Sequence, residues 1–426
     1  MNKPLQSEYD VFVTGGGPAG ICAAIQSARA GARTLLVEKN GMLGGTTTSA
    51  GVNFPGLFHA WGKQVIGGIG WELVSSAAQT SGDELPNFAE IPDRHWKHQV
   101  WVNRAVYASI AAEKAMESGV HLLLHAMPAA CCANEEHVEL TVCAKEGLRT
   151  FRAQALVDCT GDANALTMAG CETVRHDQRQ PGTLIVQLGG YRMEDFDEEA
   201  ADQALHQALE AGELLPGDVP NGVKSVRRLL VQQGNNALDV LGVDGRTSEG
   251  RTAAEISARK QFLRIYRFLK RLPAMEMITA EYMAPECGIR ETVTIKGRDT
   301  VLGEDYLAGR NYPDAICYSF YPIDWHKSDG RGIEKKYLPE GVVAKIPFGA
   351  LVPRRARRLL AAGRCLSSDQ MANSALRVQA TSMATGQAAG AAAALAAGEG
   401  SAVADVDASR LRKFLNAHGA IVPEEA

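Results

Sequence analysis

Residues 9–39 read YDVFVTGGGPAGICAAIQSARAGARTLLVEK. Val11, Phe12 and Val13 are consecutive and apolar, the pattern of a short strand buried on both faces. Gly15-Gly16-Gly17-Pro18-Ala19-Gly20 follows and fits G-x-G-x-x-G. Residues 21–30 read as an Ala-rich helix that Gly31 ends, and 34–37 as a second apolar strand closed by Glu38. Strand, glycine turn, helix, strand and acidic cap in that order meet the requirements of a dinucleotide fold. Gly15 allows the tight turn, Gly17 lets the backbone come up to a pyrophosphate, and Gly20 lets the helix lie close on the strand. The helix N-terminus turns unpaired N–H groups and the positive end of its dipole towards phosphates. Glu38 can accept hydrogen bonds from ribose hydroxyls. An acidic cap favours a free 2′-hydroxyl, hence FAD or NAD rather than NADP.

A chain of 426 residues has room for two to three domains. Its 46% hydrophobic and 22% charged content is that of an ordinary globular protein. A net charge of -5 argues against nucleic acid as a main partner. Residues 1–8 are short and polar, so no signal peptide is expected ahead of the first strand. The nine cysteines form no spaced framework and include no C-x-x-C. The adjacent Cys131 and Cys132 suit neither a zinc site nor the redox pair of a disulfide reductase, and no metal site is expected. A reducing, cytoplasmic setting is the simplest expectation. The small-apolar run 388–397 is too short to span a bilayer.

Further along, residues 41–56 (GMLGGTTTSAGVNFPG) form a Gly- and Thr-rich loop that could lie against a flat ring. Helical spacing marks 71–80 and 105–118, 120–125 reads as a strand, and 139–145 with 150–153 as a hairpin. Residues 155–163 (ALVDCTGDA) give a buried strand and a turn at its carboxyl end, where ligands bind in open α/β sheets. From about residue 170 the character changes. An acidic helix is expected at 195–212. A long helix with a basic face is expected at 248–271, with Phe262, Ile265, Phe268 and Leu269 as its apolar stripe; a solvated outer face is preferred to a membrane surface. Strand-like alternation runs over 288–302. An apolar strand at 359–362 returns to the first domain, and a helix of small residues at 373–397 turns its positive N-terminal end to the region 374–378.

The stretches DVFVTGGGPAGICAA, LLVEKNGMLGGTTTSAG, ALVDCTGDA, GIRETVTIKG, YPIDWH, IPFGALVP and AGRCLSSDQMANSALRVQATSMATGQAAGAAAALA resemble the FAD-dependent oxidoreductases with the two-domain fold of glutathione reductase and fumarate reductase. The resemblance spans nearly the whole chain. It implies an α/β fold: a Rossmann-like FAD-binding domain of glutathione reductase type, residues 1–172 and 341–426, with an inserted α+β substrate domain at 173–340. It implies FAD as the cofactor. Gly15, Gly17, Pro18, Ala19 and Gly20 would hold the pyrophosphate, Glu38 the adenosine ribose, and Lys39 would flank it. Gly44, Gly45, Thr46 and Thr47 would lie near the phosphates or the flavin ring, Ala129 and Ala130 by adenine, and Gly161 and Asp162 by the adenosine half. Gly363, Arg364, Arg377 and Val378 would reach the ribityl chain and pyrimidine end. Gly67-Gly68-Ile69-Gly70 has no strand before it, so a second nucleotide domain is not expected.

Substrate oxidation at a flavin needs a base for the departing proton or a cation for a carboxylate. His59, Arg290, Tyr318 and His326 are the candidates. Each has a structural alternative: a loop cap for His59, an ion pair with Glu286 or Glu291 for Arg290, a core position for Tyr318, and pairing with Asp324 for His326. The expected activity is hydride transfer between FAD and a small organic substrate. The alternatives are a flavoprotein subunit that passes electrons to a separate redox partner, and a flavin with no redox role. A small-molecule substrate and either an electron-transfer partner or a second copy of the chain are the expected partners, with no nucleic acid and no membrane span.

Overall fold

The computed structural model describes residues 5–424, so residues 1–4 of the short polar lead lie outside them. At its centre is a five-stranded parallel sheet. Its strands are β1 (Val11–Thr14), β2 (Thr34–Val37), β3 (His121–Leu123), β4 (Ala155–Asp158) and β5 (Leu359–Ala361), in spatial order β5-β4-β1-β2-β3. The first four come from the first 160 residues and the fifth from the far end of the chain. Every residue of β1, β2, β4 and β5 is buried, which explains their unbroken apolar runs.

Helix α1 (Pro18–Arg29) crosses from β1 to β2. Pro18 sits in its first turn, where the missing N–H costs nothing, and ten of its residues from Pro18 to Ser27 are buried. A Cβ on Gly20 would stand 2.9 Å from the carbonyl carbon of Gly15, so only glycine lets the helix settle on the turn. A second helix of small residues lies against α1, and the pair forms the layer over one face of the sheet. The hairpin expected at 139–153 is present as Val138–Ala144 and Gly147–Ala153, and Met127–Ala133 adds a third antiparallel strand. That strand is not visible in the sequence because it is mostly exposed and carries Pro128 and two adjacent cysteines in place of apolar alternation.

The second hydrophobic core is drawn from residues between Leu184 and Cys287. Helix α2 (Ser248–Leu269), capped by the Thr247 hydroxyl on the Gly250 N–H at 3.0 Å, turns Ile265, Phe268 and Leu269 into it. Its basic face is largely spent in ion pairs, Arg251 with Asp162, Arg259 with Glu255, Arg264 with Asp218 and Arg271 with Glu213. From Val301 to Val352 the buried residues pack with the larger core around the sheet instead.

Two expectations need correction. The alternation over 288–302 yields only the two-residue strand Thr294–Ile295. The segment runs between the two cores and takes single partners from several elements: Gly288 bridges Thr183, the Lys296 N–H donates to Glu172, and that of Arg298 to Val352. The helix expected at 373–397 is two helices, α3 (Gln370–Leu376) and α4 (Gln379–Glu399). Val378 between them is extended at φ -65°, ψ 145°, and the Ala380 N–H donates to Pro55 at 2.9 Å instead of continuing the ladder of α3. Among the described residues no helix is long and apolar enough to cross a membrane.

Candidate active site

A cleft, open at its mouth, runs across the carboxyl ends of the sheet strands. The turn after β1 forms its floor. A Cβ on Gly17 would meet nothing closer than the Gly45 Cα at 3.9 Å and would project into the cleft, whereas one on Gly45 would stand 2.8 Å from the Gly17 Cα. Two stretches of bare backbone thus flank the space where a pyrophosphate would pass. The Gly44 N–H donates to the Gly16 carbonyl at 2.8 Å and ties the Gly- and Thr-rich loop down. Thr47 hydrogen-bonds the Gln379 side chain, whose amide nitrogen donates to the Val52 carbonyl at 2.7 Å. The loop is therefore fastened to the start of α4, and that N-terminus faces the cleft through Val378, Gln379 and Ser382.

Glu38 marks one end. Its carboxylate accepts from the Gly16 N–H at 2.6 Å and the Asn40 N–H at 2.8 Å, while burial pushes its pKa up. A carboxylate has about four acceptor positions, so two remain for ribose hydroxyls. Lys39 beside it pairs with Glu286 of the inserted segment. Midway, Asp162 is held by Arg364 at 2.6 Å, Arg251 at 2.5 Å and the Thr292 hydroxyl at 2.9 Å, and Arg364 also donates to Gly161 at 2.8 Å. This node joins the turn after β4, the turn after β5 and α2.

The far end holds Arg290, Tyr321, Asp324, His326 and Arg377. Arg290 pairs with neither Glu286 nor Glu291. It donates to the Pro181 and Gly182 carbonyls at 2.6 and 2.9 Å and meets Asp239 at 3.3 Å. His326 lies 3.2 Å from Asp324 through Nε2. Burial, then the Arg290 cation, hold the imidazole pKa down at about 4, and the hydrogen bond from His326 and the nearby Arg377 and Lys335 cations keep the Asp324 carboxyl well below the usual range despite its burial. With Asp324 ionised and His326 neutral, Nε2–H is the donor and Nδ1 carries the lone pair.

Of the residues singled out from sequence, the cleft brings together Gly15, Gly17, Pro18, Ala19, Glu38, Lys39, Gly45, Thr46, Gly161, Asp162, Gly363, Arg364, Arg377, Val378, Arg290 and His326. Gly20, Gly44 and Thr47 stand behind its wall and shape it. Ala129 and Ala130 are exposed on the edge strand Met127–Ala133, beside a register shift between Pro128 and Ala130, and do not line the cleft. His59 lines a separate aromatic cavity with Trp61, His95 and Phe320, stacked on Phe88 at 3.7 Å between ring centres, and burial holds its pKa at about 4. Tyr318 packs beside the larger core, with its hydroxyl accepting from the Glu424 backbone. Neither is among the residues that line the cleft. Tyr321, Asp324, Gln379 and Arg251 line the cleft without having been singled out as site residues. The first two sit in the YPIDWH stretch, and their proximity to Arg290 and Arg377 is a product of tertiary folding alone.

The residues present fit a flavin dinucleotide. The bare-backbone cradle at Gly17 and Gly45 is open, the acidic cap is in place, and the same cleft is lined from Glu38 to the start of α4. Bound FAD supplies the acceptor or donor of a hydride. Among the described residues no group of three or more His, Cys, Asp or Glu side chains is placed to hold a metal ion.

A family model described as FAD dependent oxidoreductase matches residues 10–415. Among curated proteins, dihydrolipoyl dehydrogenase of Trypanosoma brucei brucei is 48% identical over 58 residues, 13% of this chain and 12% of that protein. Thiamine thiazole synthase of Aeropyrum pernix is 56% identical over 45 residues, 11% of this chain and 16% of that protein. The match thus spans about an eighth of the length of the first of these relatives. Among solved structures, BexE, from work on oxidation during BE-7585A biosynthesis, shares 14% identity at a TM-score of 0.47, covering 96% of this chain and 66% of its own. A geranylgeranyl bacteriochlorophyll reductase-like protein of Thermoplasma acidophilum shares 11% identity at 0.44, covering 97% of this chain and 84% of its own. The chain belongs to the FAD-dependent oxidoreductase family and is an FAD-dependent enzyme.

Proposed function

We propose that the enzyme transfers a hydride between FAD and a small organic substrate bound at the Arg290 and His326 end of the cleft. The observation that carries this reading is the Asp324–His326 pair at 3.2 Å, lining the same cleft as the glycine turn. Asp324 fixes the tautomer, so Nδ1 is the atom that receives the proton of the substrate's O–H or N–H while the C–H bond on the same carbon gives its hydride to the flavin and a C=O or C=N bond forms. Gly15, Gly17, Pro18, Ala19, Gly45 and Thr46 hold the pyrophosphate in this reading, with Gly20, Gly44 and Thr47 shaping the cradle. Glu38 and Lys39 serve the adenosine ribose, Gly161, Asp162, Gly363 and Arg364 the middle of the dinucleotide, and Val378 with the start of α4 the flavin. A glutathione reductase-type division, 1–172 and 341–426 around an insertion at 173–340, belongs to the same reading. The separate core between Leu184 and Cys287 supports it.

The test is anaerobic mixing of the FAD-loaded protein with small acids, alcohols, sugars and amines while the visible flavin band is followed. Bleaching by a member of the panel supports the enzyme reading. Bleaching only by a separate redox protein would replace it with the electron-transferring subunit.

A further inference from the structure

Arg377, at the break between α3 and α4, is a guanidinium held entirely by neutral acceptors. Its Nε donates to the Ser374 carbonyl at 3.1 Å, and its Nη2 to the Asp324 carbonyl at 3.0 Å and the Gln180 side-chain oxygen at 3.1 Å. Among the described residues no carboxylate reaches it within 4.0 Å and Nη1 has no hydrogen-bond partner. Burial, then the neighbouring Arg290, draw its pKa down to about 10, so it remains a cation at neutral pH. An unpaired cation in a cleft is costly to keep, and an anion from outside is the group that offsets it. Its surroundings are built to hold it there. Glu291 accepts from the Gln180 N–H and side-chain amide, both at 3.0 Å, and so fixes the Gln180 oxygen towards Arg377 and the His326 N–H.

Resting on the reading of this end as the substrate side, we propose that the enzyme's substrate is a small carboxylate, received on the open Nη1 edge of Arg377, and that its binding is coupled to protonation of His326. The coupling follows from what faces the imidazole. Among the described residues, Asp324 on its own strand is the one negative neighbour in contact. Lys335, on the paired strand Ile333–Lys336, lies 3.7 Å from Asp324, and Arg290 and Arg377 approach from the two segments packed against it. Asp239 is occupied by Arg290, and Glu291 by Gln180 and Gln370. Free, the site disfavours a proton on His326. A carboxylate on Arg377 cancels one cation and raises the affinity of Nδ1 for the proton it must take. By reciprocity, the anion binds more tightly as the pH falls towards the free-site pKa.

The test uses the FAD-loaded protein. Acetate, glycolate and benzoate, each beside its neutral amide, are titrated at constant ionic strength between about pH 5 and pH 8, with perturbation of the flavin spectrum as the readout. At least one acid is expected to bind about tenfold or more tightly than its amide, and to tighten by up to about tenfold per pH unit on acidification. Arg377→Met should lose that preference with FAD still bound and its reduction potential near that of wild type, and Arg377→Lys should retain part of it. His326→Gln should keep binding but flatten the pH dependence. Equal affinity for acid and amide, or no binding by any acid, overturns the proposal. So does an Arg377→Met protein whose flavin potential shifts while acid affinity stays put, for then Arg377 serves the flavin. Preferential acid binding in a protein whose flavin no small molecule reduces would uphold the anion site and refute the hydride-transfer reading.

Discussion

Gly386 of α4 lies directly on Ala19 of α1: a Cβ at 386 would stand 2.7 Å from the Ala19 Cα and nearer still to its carbonyl oxygen. One turn on, Gly390 meets Ala23 in the same way, with 2.8 Å to its Cα. Because α1 begins at the glycine turn and the residues at the start of α4 line the same cleft, this seam holds those two walls of the cleft together. Gly386→Ala should force the helices apart, at a cost of about 1–3 kcal/mol as for other overpacked cores. A lower melting temperature and weakened FAD retention, measured together, are expected, and an unchanged protein would mean that the seam yields freely.

Gly17→Val and Gly20→Ala should fail in different ways. The added side chain at 17 points into open cleft, so the chain should fold normally and purify colourless. At 20 it meets the Gly15 carbonyl, so stability should drop whether or not FAD is supplied. Full flavin occupancy in the Gly17→Val protein would remove the glycine turn from the pyrophosphate site.

Glu38 holds the backbone N–H groups of both Gly16 and Asn40, so Glu38→Ala acts on the cradle as well as on the ribose. Hydrogen bonds to a charged acceptor contribute roughly 1.5–3 kcal/mol each. FAD affinity should fall by about tenfold or more, and the melting temperature of the cofactor-free protein should fall as well. Equal FAD affinity in an equilibrium titration would exclude Glu38 from the ribose contact.

Arg290→Lys keeps a charge but cannot reach the Pro181 and Gly182 carbonyls and Asp239 at once. Flavin reduction by substrate should slow by about tenfold or more, equivalent to roughly 1.4 kcal/mol of transition-state stabilisation. Stopped-flow rates alongside melting curves separate this from a structural role, which would lower the melting temperature and leave reduction untouched.

His59, His95 and His326 are each held neutral by burial, with pKa values near 4 against an ordinary value near 6.5. The folded chain therefore binds fewer protons than the unfolded one between those values. Their contribution to stability is complete above about pH 6.5 and is lost as the pH falls through about 4. Melting temperature should decline over that window, and replacing His95 by Gln should make the decline shallower.

The glycine-turn end of the cleft was legible in the sequence because local rules write it. The turn at 15–20, the acidic cap at 38 and the apolar strands at 11–14, 34–37 and 155–158 each depend on neighbours close in the chain. The Arg290 and His326 end was not. Arg290 and His326 stand out as residue types, but the partners that define them, Asp239, Pro181 and Gln180, come from segments 50 to 150 residues away. The break at Val378 was hidden for the same reason, since Pro55 supplies the acceptor that ends one helix and starts the next. That His59 and Tyr318 lie outside the cleft was equally hidden, because a histidine and a tyrosine in an aromatic-rich stretch look alike in the sequence wherever folding places them.

The central claim is that a hydride passes between a small molecule and the flavin held in this cleft. It is tested most directly by the anaerobic rate of flavin bleaching with the molecule found in the substrate panel, compared with the same molecule carrying deuterium at the carbon to be oxidised. The account predicts that deuteration slows bleaching severalfold in wild type and that the flavin is reduced in one two-electron step. Identical rates with the two isotopes in the single-turnover bleaching phase at saturating substrate would contradict it.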